Sequence, residues 1–417
     1  MVQSGPVVFH GSRPTVSAII RSRAWQGYLG LAPFLRLSIN GESLLPVAQS
    51  LLAEAGERPD DAPLWMNLAT AMMCLGQREA GLAVQQQALM LQRVFELPHQ
   101  VPAAVRVLML MAPGDVAENI PLECLFETGD VALIHYWLTP GDPFAQPLPA
   151  HDVVLAALGE ADASRPFLGP VGEALDRWPV PVVNHPRHIA LTSRHAVSAR
   201  LQGIPGLQVP SVVAVPRAVL EAAAVGQDSL PAGLGYPFIV RPVGSQAGCD
   251  LARVGCAADL QAYLHEVAES QFYLAPFVDY SGPDGLFRKC RVAMVDGRPY
   301  ASHMGVSQDW MIHYLNAGMY EDAARRAEEA AFMAGFDDFA CRHGPALAAI
   351  HERLGLDYFC IDCAELRDGR LLLFEADHVM VVHAMDPVDR FSYKQAPMRR
   401  LREAVRAMLL RRAGRAV

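Results

Sequence analysis

The chain has 417 residues, enough for two or three domains, and 52% of them are hydrophobic, as in a well-cored globular protein. Its formal net charge of −9 argues against nucleic acid or an anionic membrane as a partner of the whole chain. No apolar run approaches the ~20 residues of a membrane span, and the first residues do not predict a secretory signal. The spacing of Cys360 and Cys363 matches a redox motif, but we expect buried thiols in a reduced compartment and hence a cytoplasmic protein.

Residues 1–102 are predicted to form an all-α region. Apolar side chains recur at helical spacing over residues 43–92, with interruptions at Pro59 and Gly76, whereas residues 1–40 predict no regular element. The helical segment resembles about one tetratricopeptide repeat, too little for a free-standing solenoid. A docking surface for a peptide or protein and a structural appendage are both left open.

A small α/β domain is predicted over residues 103–186. The stretches 105–111, 131–136 and 153–158 are almost continuously apolar, which is typical of parallel strands buried on both faces. A helix over 169–176 follows, and the unit ends at Asn184, His185 and Pro186. This pattern favours strands that alternate with loops and helices in one layered unit.

The next segment combines cations with a glycine loop. An apolar strand ends in Arg241 and is followed by Gly244, Ser245 and Gly248. Glycines let backbone N–H groups approach a phosphate, and the adjacent arginine would neutralise it. A later strand over 287–295 carries Lys289 and Arg291 on one face, for which a charged, solvated edge strand is the alternative.

Residues 357–377 predict a β-hairpin with its turn at Asp368 and Gly369. Glu375 and Asp377 would share one face, and pairing across the turn would bring Asp362 near them. Three carboxylates on one face repel each other unless a cation lies between them, and a few hard oxygen ligands suit Mg²⁺. A solvated hairpin face is the alternative.

The last part of the chain is rich in histidine and arginine. Aromatic and imidazole groups without a regular period lie between residues 303 and 314, and a helix is predicted over 321–334. A C-terminal helix is predicted, in which the apolar side chains of Leu401, Val405 and Met408 face the protein core. Its outward arginines are interpreted as a solvated face rather than a nucleic-acid site; they are Arg399, Arg400, Arg402, Arg406, Arg411 and Arg412.

The order of these features resembles the ATP-grasp superfamily, closest to its glutathione synthetase and ribosomal-protein glutamate ligase branch. The resemblance covers about residues 103–398. It implies an α/β (α+β) fold in which 103–186 precede an ATP-grasp domain over 187–417. Within that domain, 187–285 would cover the nucleotide and 286–417 would carry the magnesium and catalytic residues.

The resemblance also implies a role for individual residues. Asp362, Glu375 and Asp377 match the magnesium ligands, with Asp377 in the usual place of an asparagine. Arg291 matches the arginine that stabilises the transferring phosphoryl group, and His303, His313, His378 and His383 are candidates for orienting the acceptor or taking its proton. The nucleotide-binding positions would be Arg194, Arg241, Gly244, Ser245, Gly248 and Asp279. Because Ala275, Pro276 and Phe277 are apolar, the acidic residue that usually binds the ribose is either missing or replaced by Asp279.

The implied activity is an ATP- and Mg²⁺-dependent ligase that joins a carboxylate to an amine through an acyl phosphate. The substrate would be a small molecule or a peptide, docked in the latter case on the N-terminal helices. A kinase on the same fold and a non-catalytic nucleotide-binding scaffold are the alternatives. Monomer and homodimer both stay open.

Overall fold

The structure is a computed structural model that describes residues 27–99, 101–127, 129–231, 233–245 and 248–416. The chain divides after Pro98 into two compact units, which are described separately. Within these described ranges, no helix combines the length and the apolar character needed to cross a bilayer.

The described part of the first unit is mainly helical. Its elements are α1 (Ala32–Ile39), α2 (Leu45–Glu57), α3 (Ala62–Cys74), α4 (Arg78–Leu91) and the short strand β1 (Val94–Glu96). The Asp61 side chain accepts a hydrogen bond from the Leu64 N–H and caps α3, while Gly76 turns the chain with a φ of +78°. Helices therefore end near Pro59 and Gly76, as predicted, but α1 lies where the sequence predicted no regular element. The likeness to a tetratricopeptide repeat stays a prediction.

The second unit begins with a parallel sheet. Its strands β2 (Val105–Met111), β3 (Val131–Trp137), β4 (Val153–Ala156) and β5 (Val182–Val183) pair in the order β3-β2-β4-β5. Helices α5 (Glu123–Phe126) and α6 (Arg165–Leu175) connect them. Strands β3 and β4 are buried along their whole length, as the continuous apolar stretches predicted.

An antiparallel sheet of four strands follows. The elements of this region are α7 (Pro186–Ile189), α8 (Arg194–Leu201), β6 (Leu207–Gln208), β7 (Val213–Pro216), α9 (Arg217–Ala224), β8 (Phe238–Pro242), β9 (Ala252–Val254), α10 (Ala257–Glu266) and β10 (Gln271–Pro276). The strand order is β7-β10-β8-β9. Phe238 and Phe272, on neighbouring strands, are fully buried with Leu260 of α10 in the core of this sheet.

A third sheet carries the charged residues that the sequence singled out. Its strands, with the helices near them in sequence, are β11 (Phe287–Val295), β12 (Arg298–Ser307), α11 (Ala323–Ala334), α12 (Phe336–Arg342), α13 (Gly344–Leu354), β13 (Tyr358–Glu365), β14 (Leu371–Asp377) and α14 (Gln395–Arg412). Together with β6, the strands pair in the order β12-β11-β13-β14-β6. The predicted hairpin is β13–β14. Strand β11 has a neighbour on each side, so the alternative of a charged edge strand is wrong for Lys289 and Arg291.

Two contacts fix the hairpin against the parallel sheet. Asn184, at the end of β5 with a φ of +56°, accepts hydrogen bonds through Oδ1 from the Asp357 and Tyr358 N–H groups, both at 2.9 Å. At the other end, the Nε2 atom of the fully buried His378 lies 2.9 Å from the Leu158 carbonyl oxygen. The start of β13 and the end of β14 are thus held at defined positions beside the carboxyl ends of parallel strands.

The C-terminal helix α14 buries Leu401, Val405 and Met408 as predicted. Its arginines are not simply solvated: Arg406 pairs with Asp130, and Arg412 pairs with Asp296 and Asp357. The interpretation as a purely solvated face is therefore wrong for this end of the helix. With parallel and antiparallel sheets and many helices, the unit confirms the predicted mixed α/β class.

Candidate active site

Four side chains form a row across the third sheet. His303 on β12 is the register partner of Arg291 on β11, which pairs with Asp362 on β13, which in turn pairs with Glu375 on β14. Directly opposed residues in antiparallel strands point to the same face. The register therefore brings Arg291 and His303, which are 12 positions apart, next to Asp362, which lies 71 positions after Arg291, and adds Glu375 from the other strand of the hairpin.

Asp362 is the most strongly paired carboxylate of this row. Arg291 donates from Nε to Oδ1 at 2.8 Å and from Nη2 to Oδ2 at 3.1 Å, and Lys289 Nζ lies 3.0 Å from Oδ2. Asp362 is 2% exposed; although burial opposes its ionisation, the Arg291 and Lys289 charges hold the pKa of this carboxyl far below its usual range. The bidentate geometry fixes the Arg291 guanidinium plane.

A second charged group lies on the β14 side. Arg194, at the start of α8, lies 2.5 Å from Glu375 Oε1. Arg241, at the end of β8, donates from Nε to Ser245 Oγ at 2.9 Å and also to the Ser245 carbonyl oxygen. Burial, together with the nearby charge of Arg194, lowers the pKa of Arg241 to about 10. Among the described residues, no carboxylate lies within ion-pair distance of Arg241.

Two glycines near Arg241 have a positive φ. Gly244 and Gly248 have φ values of +83° and +76°, a region that side chains with a Cβ rarely occupy. A Cβ atom on Gly248 would lie 3.3 Å from the Met311 sulfur. The chain thus turns at Gly244, close to Arg241 in sequence, and Met311 lies close to Gly248.

The two catalytic histidine candidates lie near Arg291. The His303 ring centroid is 4.6 Å from that of Tyr314, and the His303 Nδ1 atom is buried without a hydrogen-bond partner in the described part of the chain. Burial and the Arg291 charge put the pKa of His303 well below its ordinary value. Burial, followed by the charges of Lys289 and Arg291, also lowers the pKa of His313. Both imidazoles are therefore neutral at pH 7.

The predicted magnesium triad is only partly assembled. Glu375 faces Asp362, but Asp377 is opposite Cys360, and its Oδ1 lies 3.3 Å from His378 Nδ1. In the ranges that the structure describes, no three histidine, cysteine, aspartate or glutamate side chains form a group that could hold a metal ion. In this structure Arg291 and Lys289 neutralise Asp362, and Arg194 neutralises Glu375.

Three other candidates lie outside the row. Asp279 accepts a hydrogen bond from the Ser281 N–H at 2.9 Å, and this bond holds the pKa of its carboxyl below the usual range. His378 is packed against Leu158, and His383 accepts from the Met385 N–H at 3.3 Å. Cys360 and Cys363, the redox-like pair, are both buried free thiols as expected.

Sequence reasoning missed a buried polar network behind Tyr314. Lys394 Nζ lies 2.9 Å from Asp386 Oδ2 and 3.2 Å from Glu329 Oε1, and Tyr314 donates to Glu329 Oε2 at 2.9 Å. Lys394 and Glu329 are 3% and 0% exposed. Neither residue stands in a recognisable motif, since Glu329 lies in an alanine-rich helix that pattern alone would leave with an exposed polar face.

No protein-family model matches the sequence, and no curated protein matches it either. The chain is similar to the VanG D-Ala:D-Ser ligase from Enterococcus faecalis, at 12% identity and a TM-score of 0.45, covering 73% of this chain and 99% of that one. It is similar to a RimK-domain ATP-grasp protein from Sphaerobacter thermophilus (19%, TM-score 0.41, covering 73% and 99%). A third similar structure is the D-alanine–D-alanine ligase from Bacillus anthracis complexed with ATP (14%, TM-score 0.45, covering 75% and 100%). At these values the likeness carries no residue-by-residue correspondence.

Proposed function

We propose that the chain is an ATP- and Mg²⁺-dependent carboxylate–amine ligase whose active site is the charged row on the third sheet. The observation that carries this proposal is an excess of positive charge on largely buried side chains. In the described residues, Arg194, Lys289 and Arg291 pair with only two carboxylates, Asp362 and Glu375, and Arg241 has no carboxylate within ion-pair distance. An uncompensated buried cation is costly, and an anionic ligand at this site would relieve that cost.

The region around Arg241 fits the phosphates of a nucleotide. Its guanidinium is mostly buried, is repelled by Arg194 and is fixed by two hydrogen bonds to Ser245 in the glycine loop. Backbone N–H groups in such a loop and a planar guanidinium both suit phosphate oxygens. Arg194, Arg241, Gly244, Ser245 and Gly248 would hold the phosphates, while Asp279 remains the candidate for the ribose.

The hairpin acids fit magnesium in kind, since Mg²⁺ is usually held by one or two carboxylates together with substrate phosphates and water. Glu375 and Asp377 would hold the ion, and Asp362 would join them through Oδ1 while its bonds to Arg291 stay in place. Bound there, Mg²⁺ would neutralise charge on the phosphates.

The chemistry proposed for the row needs two steps. A substrate carboxylate oxygen attacks the γ-phosphorus of ATP, the bond to the bridging oxygen breaks, and ADP leaves. An amine nitrogen then attacks the acyl carbon, loses a proton, and phosphate leaves as the amide forms. Arg291, held in one orientation by Asp362, would stabilise the charge on the transferring group, and a neutral His303 or His313 would take the proton.

The test is incubation of the full chain with ATP, Mg²⁺, hydroxylamine and a panel of carboxylic acids. ADP, phosphate and a hydroxamate are the expected products, because hydroxylamine intercepts an acyl phosphate. A phosphorylated acceptor without hydroxamate would indicate a kinase instead, and ATP binding without ADP for every acid would indicate a scaffold.

A pair of arginine variants localises the nucleotide. Arg241→Met should weaken ATP binding about tenfold or more, because it removes a buried charged donor. Arg370→Met is the matched control, since Arg370 is an exposed arginine paired with Asp368 at the hairpin turn. Equal ATP affinity in both variants would remove Arg241 from the proposed phosphate site.

The first unit is proposed, separately, as a docking surface for a peptide substrate. Leu52 and Met90 are apolar side chains that are 57% and 79% exposed. Leu52→Lys and Met90→Lys should raise the KM for a peptide substrate more than the KM for ATP. Unchanged values for both substrates would favour a structural appendage.

A further inference from the structure

A short segment folds over the sheet beside Lys289. A Cβ atom on Gly305 would lie 2.7 Å from Ile312 Cγ2, so Ile312 rests directly on Gly305, the register partner of Lys289. Two residues further on, the Tyr314 ring lies against His303, the partner of Arg291. His313 is therefore held between these two contacts, on the face of the sheet that carries Lys289.

The charge on Lys289 is not needed to neutralise its partner. Both oxygens of Asp362 already accept N–H groups from Arg291, so Lys289 is a second cation on one carboxylate. Its side chain is 19% exposed and can reach a molecule that enters the site from solvent. Among the described residues, Asp362 is the one carboxylate within ion-pair distance of Lys289.

We propose that Lys289 and His313 form a subsite for a second carboxylate of the acid that the enzyme activates. The substrate class is then a dicarboxylic acid, in which one carboxylate reacts beside Arg291 and the other is bound by Lys289. The inference rests on the proposed ligase function and deepens it. A compact ammonium and a neutral imidazole N–H provide one charged and one neutral donor for a carboxylate.

The position of this subsite separates it from the proposed phosphate site. Arg194 pairs with Glu375 on β14, whereas Lys289 lies on β11, on the other side of β13. Arg291 lies on the Lys289 side and is bound to Asp362 on the strand between. A phosphoryl group would thus approach from the Glu375 side, and the acid would occupy the side covered by the His313 segment.

The experiment compares acids that differ only in the second carboxylate. Succinate, glutarate and adipate are each tested against their monoamides, with full-length protein, ATP, Mg²⁺ and hydroxylamine, and ADP release gives the KM. At least one diacid is expected to have a KM about tenfold lower than its monoamide, because a charged hydrogen bond is lost in the amide.

Three variants assign that preference to Lys289. Lys289→Met should reduce the ratio of the two KM values to less than about twofold, whereas Lys289→Arg should keep most of it, since the charge remains. Arg288→Met is the matched control. Arg288 is the preceding residue, points to the opposite face and pairs with Asp284 and Glu328, so the ratio should equal that of the wild type.

The outcomes separate this inference from the proposed function. ADP release with equal KM values for every diacid and its monoamide, or a preference that persists in Lys289→Met, overturns the subsite. If no acid supports ADP release, the ligase proposal fails, and calorimetric titration of glutarate into wild-type and Lys289→Met protein decides the subsite alone. Binding that is weaker in the variant supports the subsite, and equal or undetectable binding overturns it.

Discussion

Cationic side chains are concentrated in two regions of the second unit, and the two regions differ in how their charge is compensated. Of the site cations, Arg194, Lys289 and Arg291 share two carboxylates, and Arg241 has none within ion-pair distance in the described residues. The arginines near the C-terminus, named the helix arginines because most of them lie on α14, each pair with at least one aspartate. They are Arg406, Arg411, Arg412 and Arg415, and their partners are Asp130, Asp152, Asp296 and Asp357.

Exposure divides the two regions in the same way. The helix arginine side chains are 34–52% exposed, so water screens them and each pair contributes little. Arg194, Lys289 and Arg291 are 19–20% exposed and Arg241 is 8% exposed. Balanced, exposed pairs attach the C-terminal segment to the residues around it, whereas the largely buried and unbalanced cations are those proposed to bind an anionic ligand.

The largest expected effect is on stability at the centre of the site. Asp362→Ala leaves Arg291 buried beside Lys289 with a carbonyl, that of Val381, as its remaining acceptor. Because removing one partner strands a buried charge, the free energy of unfolding should fall by about 3–5 kcal/mol. Urea unfolding monitored by circular dichroism measures it, with Asp130→Ala in the other region as the control. A loss below about 1 kcal/mol would mean that the Arg291 guanidinium reaches solvent readily once Asp362 is removed.

The next effect is on turnover. Glu375→Gln keeps the size of the side chain but removes the carboxylate proposed to hold Mg²⁺ and to neutralise Arg194. We expect the rate of ADP formation to fall by about 100-fold or more, with an unchanged circular dichroism spectrum. Asp368→Asn, at the exposed hairpin turn, is the control. Near-normal ADP formation in Glu375→Gln would remove this residue from the metal site.

The sequence was informative where residues are close along the chain or obey a simple period. The Asp368-Gly369 turn predicts the hairpin, and the pairing of Asp362 with Glu375 follows from it. The three buried parallel strands follow from their apolar runs. By contrast, α12 and α13 were not predicted, and the ends of several strands shifted by a few residues.

Contacts between distant segments could not be predicted. Arg194 reaches Glu375 and Lys394 reaches Glu329 only because separate elements pack together, and no local pattern encodes such a meeting. The same limit explains the error about the C-terminal helix, since the aspartates that pair with its arginines lie up to 276 positions away. The sequence predicts which residue types a site uses, and the fold decides which of them meet.

A smaller effect concerns pH and depends on the site cations. The folded pKa of His303 is lowered by burial and by the Arg291 charge, so the unfolded chain binds more protons than the folded one at acid pH. The stability that comes from neutral His303 is complete above its unfolded pKa of about 6.5 and decreases as the pH falls below that value. His303→Gln should therefore reduce the loss of stability between pH 6.5 and 5.5 by up to about 1 kcal/mol, measured by urea unfolding at each pH. Identical pH profiles for the two proteins would show that His303 is not held neutral by the fold.

The smallest effect belongs to the helix arginines and completes the comparison. Arg406 donates from Nε to Asp130 Oδ1 at 2.8 Å and from Nη2 to the other oxygen, an arrangement as well aligned as that of Arg291. Both side chains are about one-third exposed, at 34% and 27%, so the pair should be worth less than about 1 kcal/mol and should weaken further in salt. A double-mutant cycle with Arg406→Met and Asp130→Asn, run at low and high salt, measures that coupling. A coupling of about 3 kcal/mol that salt leaves unchanged would place this pair with Arg291 and Asp362, and exposure would then no longer separate the two regions.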